Sequence, residues 1–170
     1  MSKFEEMCEA ATTAHKHFTE YSARCRQYMF SLVDGLVKYC QIPTTHITFM
    51  RWNKCEGELS QYLEAEEGKK WALVSAVEFD NVGTWCHLGV CITLNPSNPK
   101  SSRWVSFALC MSEQEGKPTV KIGDFGKQYQ VDLKDARQCD QFYEEIVKMV
   151  KQCFDTHNRD SKAIGFNVGS

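Results

Sequence analysis

The chain lacks an excess of either charge: 20 Lys and Arg stand against 22 Asp and Glu in 170 residues. A general nucleic-acid binder needs a phosphate-neutralising surplus of Lys and Arg, and none is present. Long apolar runs are also missing. The longest, around Trp71–Val77 and Leu88–Leu94, are strand-sized and far short of the ~20 residues that span a bilayer, so no membrane segment is expected. Proline is scarce, at four residues, which excludes a polyproline or collagen-like chain. No P-loop, dinucleotide fingerprint, G-x-S-x-G or H-E-x-x-H is found, so no cofactor is implied. The opening Met1–Phe18 is charged and amphipathic and lacks the apolar core of a secretion signal.

Cysteine, by contrast, is abundant at nine residues. The number is odd, and Cys8, Cys25, Cys40, Cys139 and Cys153 fall where apolar residues are due. Free cysteine behaves as a small hydrophobe. Reduced core thiols in a cytoplasmic chain are the expectation.

Apolar residues recur with a period near 3.6 from Phe4 through Met7, Ala11, Ala14, Phe18, Tyr21, Cys25, Leu32 and Leu36 to Cys40. Ser2 and Glu5 have the spacing of a capping box, and Pro43 closes the segment. A helix over residues 3–40 would be roughly 55 Å long, against a radius of gyration of ~15 Å for such a domain. It should therefore bend near Thr12–Thr13 or Thr19, or its N-terminal half should project to meet a partner.

Strands are expected at Thr44–Trp52, Trp71–Phe79, Thr84–Leu94, Arg103–Met111, Thr119–Ile122 and Lys127–Asp132, with a short helix over 59–68. The intervals carry Gly, Pro, Asn or Asp, as turns require. A second amphipathic helix should run from about Lys134 to Thr156, with Asp135 near its cap. The pattern predicts an α+β domain over 1–157: one antiparallel meander of about five or six strands, its two flanking helices packed on one face. The tail 158–170 should add an edge strand around Ala163–Phe166 or stay disordered.

Period-2 sorting gives the strands one aliphatic face, with Leu88, Val90, Ile92, Leu94, Val105, Phe107, Leu109 and Met111. The other face is small or polar: Glu78, Trp85, His87, Cys91, Trp104, Ser106 and Cys110. These seven are the candidate ligand- or partner-binding residues. Their bland alternative is an outer face without a ligand role: half-solvated, as antiparallel sheets commonly have, covered by the 53–68 segment or the tail, or buried in a dimer.

Other motifs carry little. His46-Ile47-Thr48 has the H-x-T form of two-histidine phosphoesterases but no second copy. Cys153 and His157 share a helix face, yet structural zinc wants four ligands, so no metal is expected. Cys91 and Cys110 would be redox partners only if the strand register made them neighbours. Asp124-Phe125-Gly126 reads as a turn, since the other kinase motifs are missing.

The helix–meander–helix outline is similar to that of small cytosolic chaperones and immunity-type proteins that bind one partner. The sequence thus leads to the expectation of a non-enzymatic binding module using the second sheet face, the long first helix, or both. Its partner would be another protein or a second copy of itself. The alternative is a small-ligand binder or enzyme with a groove around Glu78, Trp85, His87 and Trp104.

Overall fold

A computed structural model describes residues 2–50, 76–80, 83–94, 103–123 and 126–154, and the backbone of 166–169. The first helix, α1, runs unbroken over Lys3–Cys40, 38 residues. Its start is fixed by the capping box, in which the Ser2 side chain accepts from the Glu5 N–H and the Glu5 carboxylate from the Ser2 N–H. It stops where Gln41 turns left-handed at φ 52° and its N–H donates to the Lys38 carbonyl. The expected bend is missing. Thr12 Oγ1 donates to the Cys8 carbonyl at 2.8 Å and Thr19 Oγ1 to the His15 carbonyl at 2.9 Å. Both threonines are accommodated inside the continuous helix, their hydroxyls bonded to the carbonyls four residues back.

After a 3-10 turn at Thr44–His46, strand β1 covers Ile47–Met50. Strand β2 is only Glu78–Phe79. The strand expected over Trp71–Phe79 is corrected here: Ala76 is helical, and residues 71–75 lie outside the described residues. A short apolar run does not separate strand from helix by periodicity, and alanine favours the helix. The helix expected over 59–68 also lies outside the described residues. The remaining strands are β3 (Cys86–Leu94), β4 (Arg103–Gln114), β5 (Lys117–Ile122) and β6 (Gln128–Gln130). Helix α2 spans Ala136–Phe154, and β7 spans Phe166–Gly169.

Pairing is antiparallel throughout, with the central path β1-β3-β4-β5-β6. Strands β1 and β2 share the outer edge of β3, and β7 and β5 share that of β4. This is an α+β fold built on a meander, with the tail supplying an edge segment. Gly89 lies opposite Met50, and a Cβ there would sit 2.9 Å from the Met50 Cβ and carbonyl oxygen. Its lack of a side chain lets β1 approach.

The core lies between the helices and the aliphatic face. Cys25, Met29, Leu32, Val33 and Leu36 of α1 and Phe142, Tyr143 and Ile146 of α2 meet Leu88, Val90, Val105, Phe107, Leu109, Val120 and Ile122. Tyr39 and Tyr143 tie the helices together with ring centroids 5.5 Å apart. Asp135 caps α2 by accepting from the Arg137 and Gln138 N–H groups at 3.0 and 3.3 Å. Among the described residues no disulfide joins the cysteines; Cys25, Cys86 and Cys139 are buried and Cys8 is exposed. Hydrogen bonding with Cys25, together with burial, pushes the Cys86 thiol up from its ordinary pKa.

Gly35 faces α2 so closely that a Cβ would overlap the Tyr143 hydroxyl and lie 2.8 Å from its Cζ. Gly35→Ala gains about 1 kcal/mol of helix propensity against an overpacking cost of about 1–3 kcal/mol. A net loss of about 1 kcal/mol is the expected result in urea unfolding; a raised midpoint would show that Tyr143 moves aside freely.

Candidate functional site

The strand registers align a row across the second sheet face. Glu78 of β2 pairs with His87 of β3, His87 with Cys110 of β4, Cys110 with Lys121 of β5, and Lys121 with Gln128 of β6. Directly opposed residues project to the same face. A carboxylate, an imidazole, a thiol and an ammonium therefore stand side by side. Cys110 Sγ lies 3.2 Å from His87 Nδ1. The Lys121 ammonium sits 4.4 Å from the centroid of the Trp85 ring, a cation–π contact worth about 0.5–2 kcal/mol.

Trp85 is presented by the turn between β2 and β3. Asp80 Oδ1 accepts from the Thr84 N–H at 2.8 Å and Oδ2 from the Thr84 hydroxyl at 3.0 Å. Burial pushes the Asp80 carboxyl up, but hydrogen bonds from Thr84, Trp85 and Gly83 outweigh it and hold the group below its ordinary pKa. The turn's support is therefore full above the usual carboxylate range and fades as pH falls through the lowered value. Tyr21 of α1 donates to the Thr84 carbonyl at 2.6 Å, so the first helix braces the same turn.

The seven candidate residues do not form one groove. Trp104 pairs with Thr93, six positions along β4 from Cys110, which is about 20 Å at the rise of a strand. Trp85 and Trp104 are both half-buried and flank opposite ends of the face. Between them Cys91 opposes Ser106. That register separates Cys91 from Cys110 by four positions, about 13 Å, too far for a disulfide. The two are not redox partners.

The middle of this face is buried: His87, Cys91, Ala108 and Ser112 are almost inaccessible, and Ser106 and Cys110 fully so. The Ser106 hydroxyl has no hydrogen-bond partner among the described residues. Burial and a hydrogen bond to Thr48 act oppositely on Cys91, and burial wins, raising its pKa. Chemically, the row can pass a proton from the thiol to the imidazole, the step that activates a cysteine nucleophile. Burial denies Cys110 to any bulky substrate. Lys121 is the member that sequence reasoning missed, because only the β4–β5 register brings it beside Cys110. His46 belongs to the 3-10 turn, away from this row, and His157 lies outside the described residues. Among the described residues no cluster of three metal-ligating side chains occurs.

Comparison with protein-family models, with curated proteins and with solved structures gave no match to this chain.

A second surface stands apart from the sheet. The cap Ser2 and residues 3–20 of α1 are all exposed. Within them Phe4 and Met7 are 73% and 69% exposed, on the side of the helix that is buried farther along. Phe18 marks the point of departure, packing edge-on to Phe79 at 5.5 Å between centroids. The free arm extends about 25 Å beyond it.

Proposed function

We propose that the chain is a non-enzymatic binding module whose working surface is the exposed N-terminal half of α1. The supporting observation is the apolar stripe Phe4, Met7, Ala11 and Ala14 on an arm whose residues are all exposed. Fold stability gains nothing from a phenylalanine held in water. Amphipathic helices use such i, i+3, i+7 anchors to enter a partner's groove or seam. No enzymatic constellation on this arm competes with that role.

The double substitution Phe4→Gln, Met7→Gln keeps good helix formers and should change stability by less than about 0.5 kcal/mol. It should also abolish capture of whatever the wild-type chain retains from its own cell extract. Full capture by a folded double variant would remove the arm from consideration.

One observation favours the second reading, a small-ligand binder or thiol enzyme: the Cys110–His87 contact at 3.2 Å. In that case iodoacetamide should label Cys110 of the folded protein faster than the exposed Cys8. Labelling of Cys110 only after unfolding, as its full burial leads us to expect, makes the pair a structural one.

A further inference from the structure

We propose that Cys25 and Cys86 are an oxidation site, a dithiol that hydrogen peroxide closes into a disulfide fastening α1 to β3. The site is independent of the arm's binding role.

Three observations bring the two sulfurs together. The first is burial: both side chains are fully inaccessible and belong to the same cluster between the helices and the sheet.

The second is how α1 is anchored on either side of them. Tyr21 donates to the Thr84 carbonyl at 2.6 Å, and the Arg24 guanidinium meets the Glu113 carboxylate at 3.1 Å. Cys25 stands four positions past Tyr21, on the same side of the helix. Cys86 stands two positions past Thr84 and is opposed by Met111, itself two positions before Glu113. The two anchors therefore set Cys25 against Cys86. The register that separates Cys91 from Cys110 by about 13 Å gives those two thiols no such meeting.

The third is that the thiols act on each other. Hydrogen bonding with Cys86 is the largest influence on Cys25 and, against burial, holds its thiol below the ordinary pKa. The same interaction is the largest one raising Cys86. Cys86 is thus the donor, and Cys25 is the thiol that ionises first. Unequal thiols in contact are what the chemistry requires, since a thiolate is the nucleophile and a neighbouring thiol resolves its sulfenic acid.

Buried thiols are ordinarily inert, so the oxidant has to be small and needs a way in. Cys86 Sγ lies 3.9 Å from Met111 Sδ. Met111 in turn lines an open groove of about 620 Å³ between α1 and the β4–β5 hairpin, together with Arg24, Gln27, Tyr28 and Glu113. One unbranched, adaptable side chain therefore separates the groove from the Cys86 thiol. Hydrogen peroxide, little larger than water, suits that passage.

The Cys25 thiolate attacks one peroxide oxygen, the O–O bond breaks and hydroxide leaves, giving the Cys25 sulfenic acid. The Cys86 sulfur then attacks the Cys25 sulfur, the S–O bond breaks and a second hydroxide leaves. The two thiol protons turn both hydroxides into water. Two electrons pass from the sulfurs to the peroxide.

The test treats the reduced, folded full chain briefly with hydrogen peroxide, unfolds it in the presence of a maleimide, and maps labels and linkages by mass spectrometry. Cys25 and Cys86 should both escape labelling and be joined with the loss of two hydrogens, and dithiothreitol should restore both labels. The linkage closes a loop of about sixty residues, so the urea midpoint of the linked chain should rise. Cys91→Ala should keep the linkage, whereas Cys25→Ala and Cys86→Ala should each remove it. The wild-type map decides the matter even where a variant fails to fold. Full labelling of Cys25 and Cys86 at a peroxide dose that already oxidises the exposed Cys8 overturns the site. So does a linkage of Cys25 to a different cysteine, one that forms only in urea, or a linked chain with a lowered midpoint.

Discussion

Phe107→Ala should lower the free energy of unfolding by about 3–5 kcal/mol, enough to unfold many domains of this size. Phe107 is fully buried on β4, opposed by Val90 of β3 on one side and by Phe166 of β7 on the other. The site has little room to relax, because β3 and β4 are the two central strands and neither can shift without breaking ladders on both its edges. Removing the ring therefore leaves most of its volume as a cavity. Chemical denaturation of the variant gives the number. A loss below ~1.5 kcal/mol would mean that the helices collapse into the space.

Leu36→Ala should cost about 2–5 kcal/mol. The side chain is 1% exposed near the end of α1, in the cluster that joins both helices to the sheet. Alanine's helix propensity returns only a few tenths of a kcal/mol, so the packing loss dominates. Truncation to alanine thirty-two positions earlier, Phe4→Ala, should leave the urea midpoint unchanged within error. The contrast between the two ends of one helix is the measurement. Equal losses at Leu36 and Phe4 would mean that the arm is packed in solution.

The helices and the two-faced sheet were legible in the sequence because their signals are local. The capping box at Ser2 and Glu5, the stripe of α1 and the Asp135 cap of α2 each depend on residues within a few positions. Other features depend on partners far along the chain. Strand β4 runs three residues past the expected end at Met111, because Ser112, Glu113 and Gln114 are held by pairing with β5 rather than by apolar patterning. The turn there is only Glu115-Gly116, both at positive φ, the twist that suits a two-residue hairpin. The row Glu78–His87–Cys110–Lys121 was half legible: period 2 put three members on one face, but pairing order and register brought them into line. Burial of that face was legible only as one alternative, since small and polar side chains suit a wet face as well as a covered one.

The continuity of α1 has a consequence for how its free half is held. Starting a helix is costly, with a nucleation constant on the order of 10⁻³, whereas extending one is nearly free. The packed half, from Ser22 onward, supplies the nucleus, and the arm grows from it as an extension. Cut between Phe18 and Ser22, the released segment would be a marginal helix at best. Attached, it keeps its shape but frays from the Ser2 end, so amide exchange should slow steadily from Glu5 toward Phe18 instead of stepping at a domain boundary. The arm borrows its order from the core by way of the backbone alone.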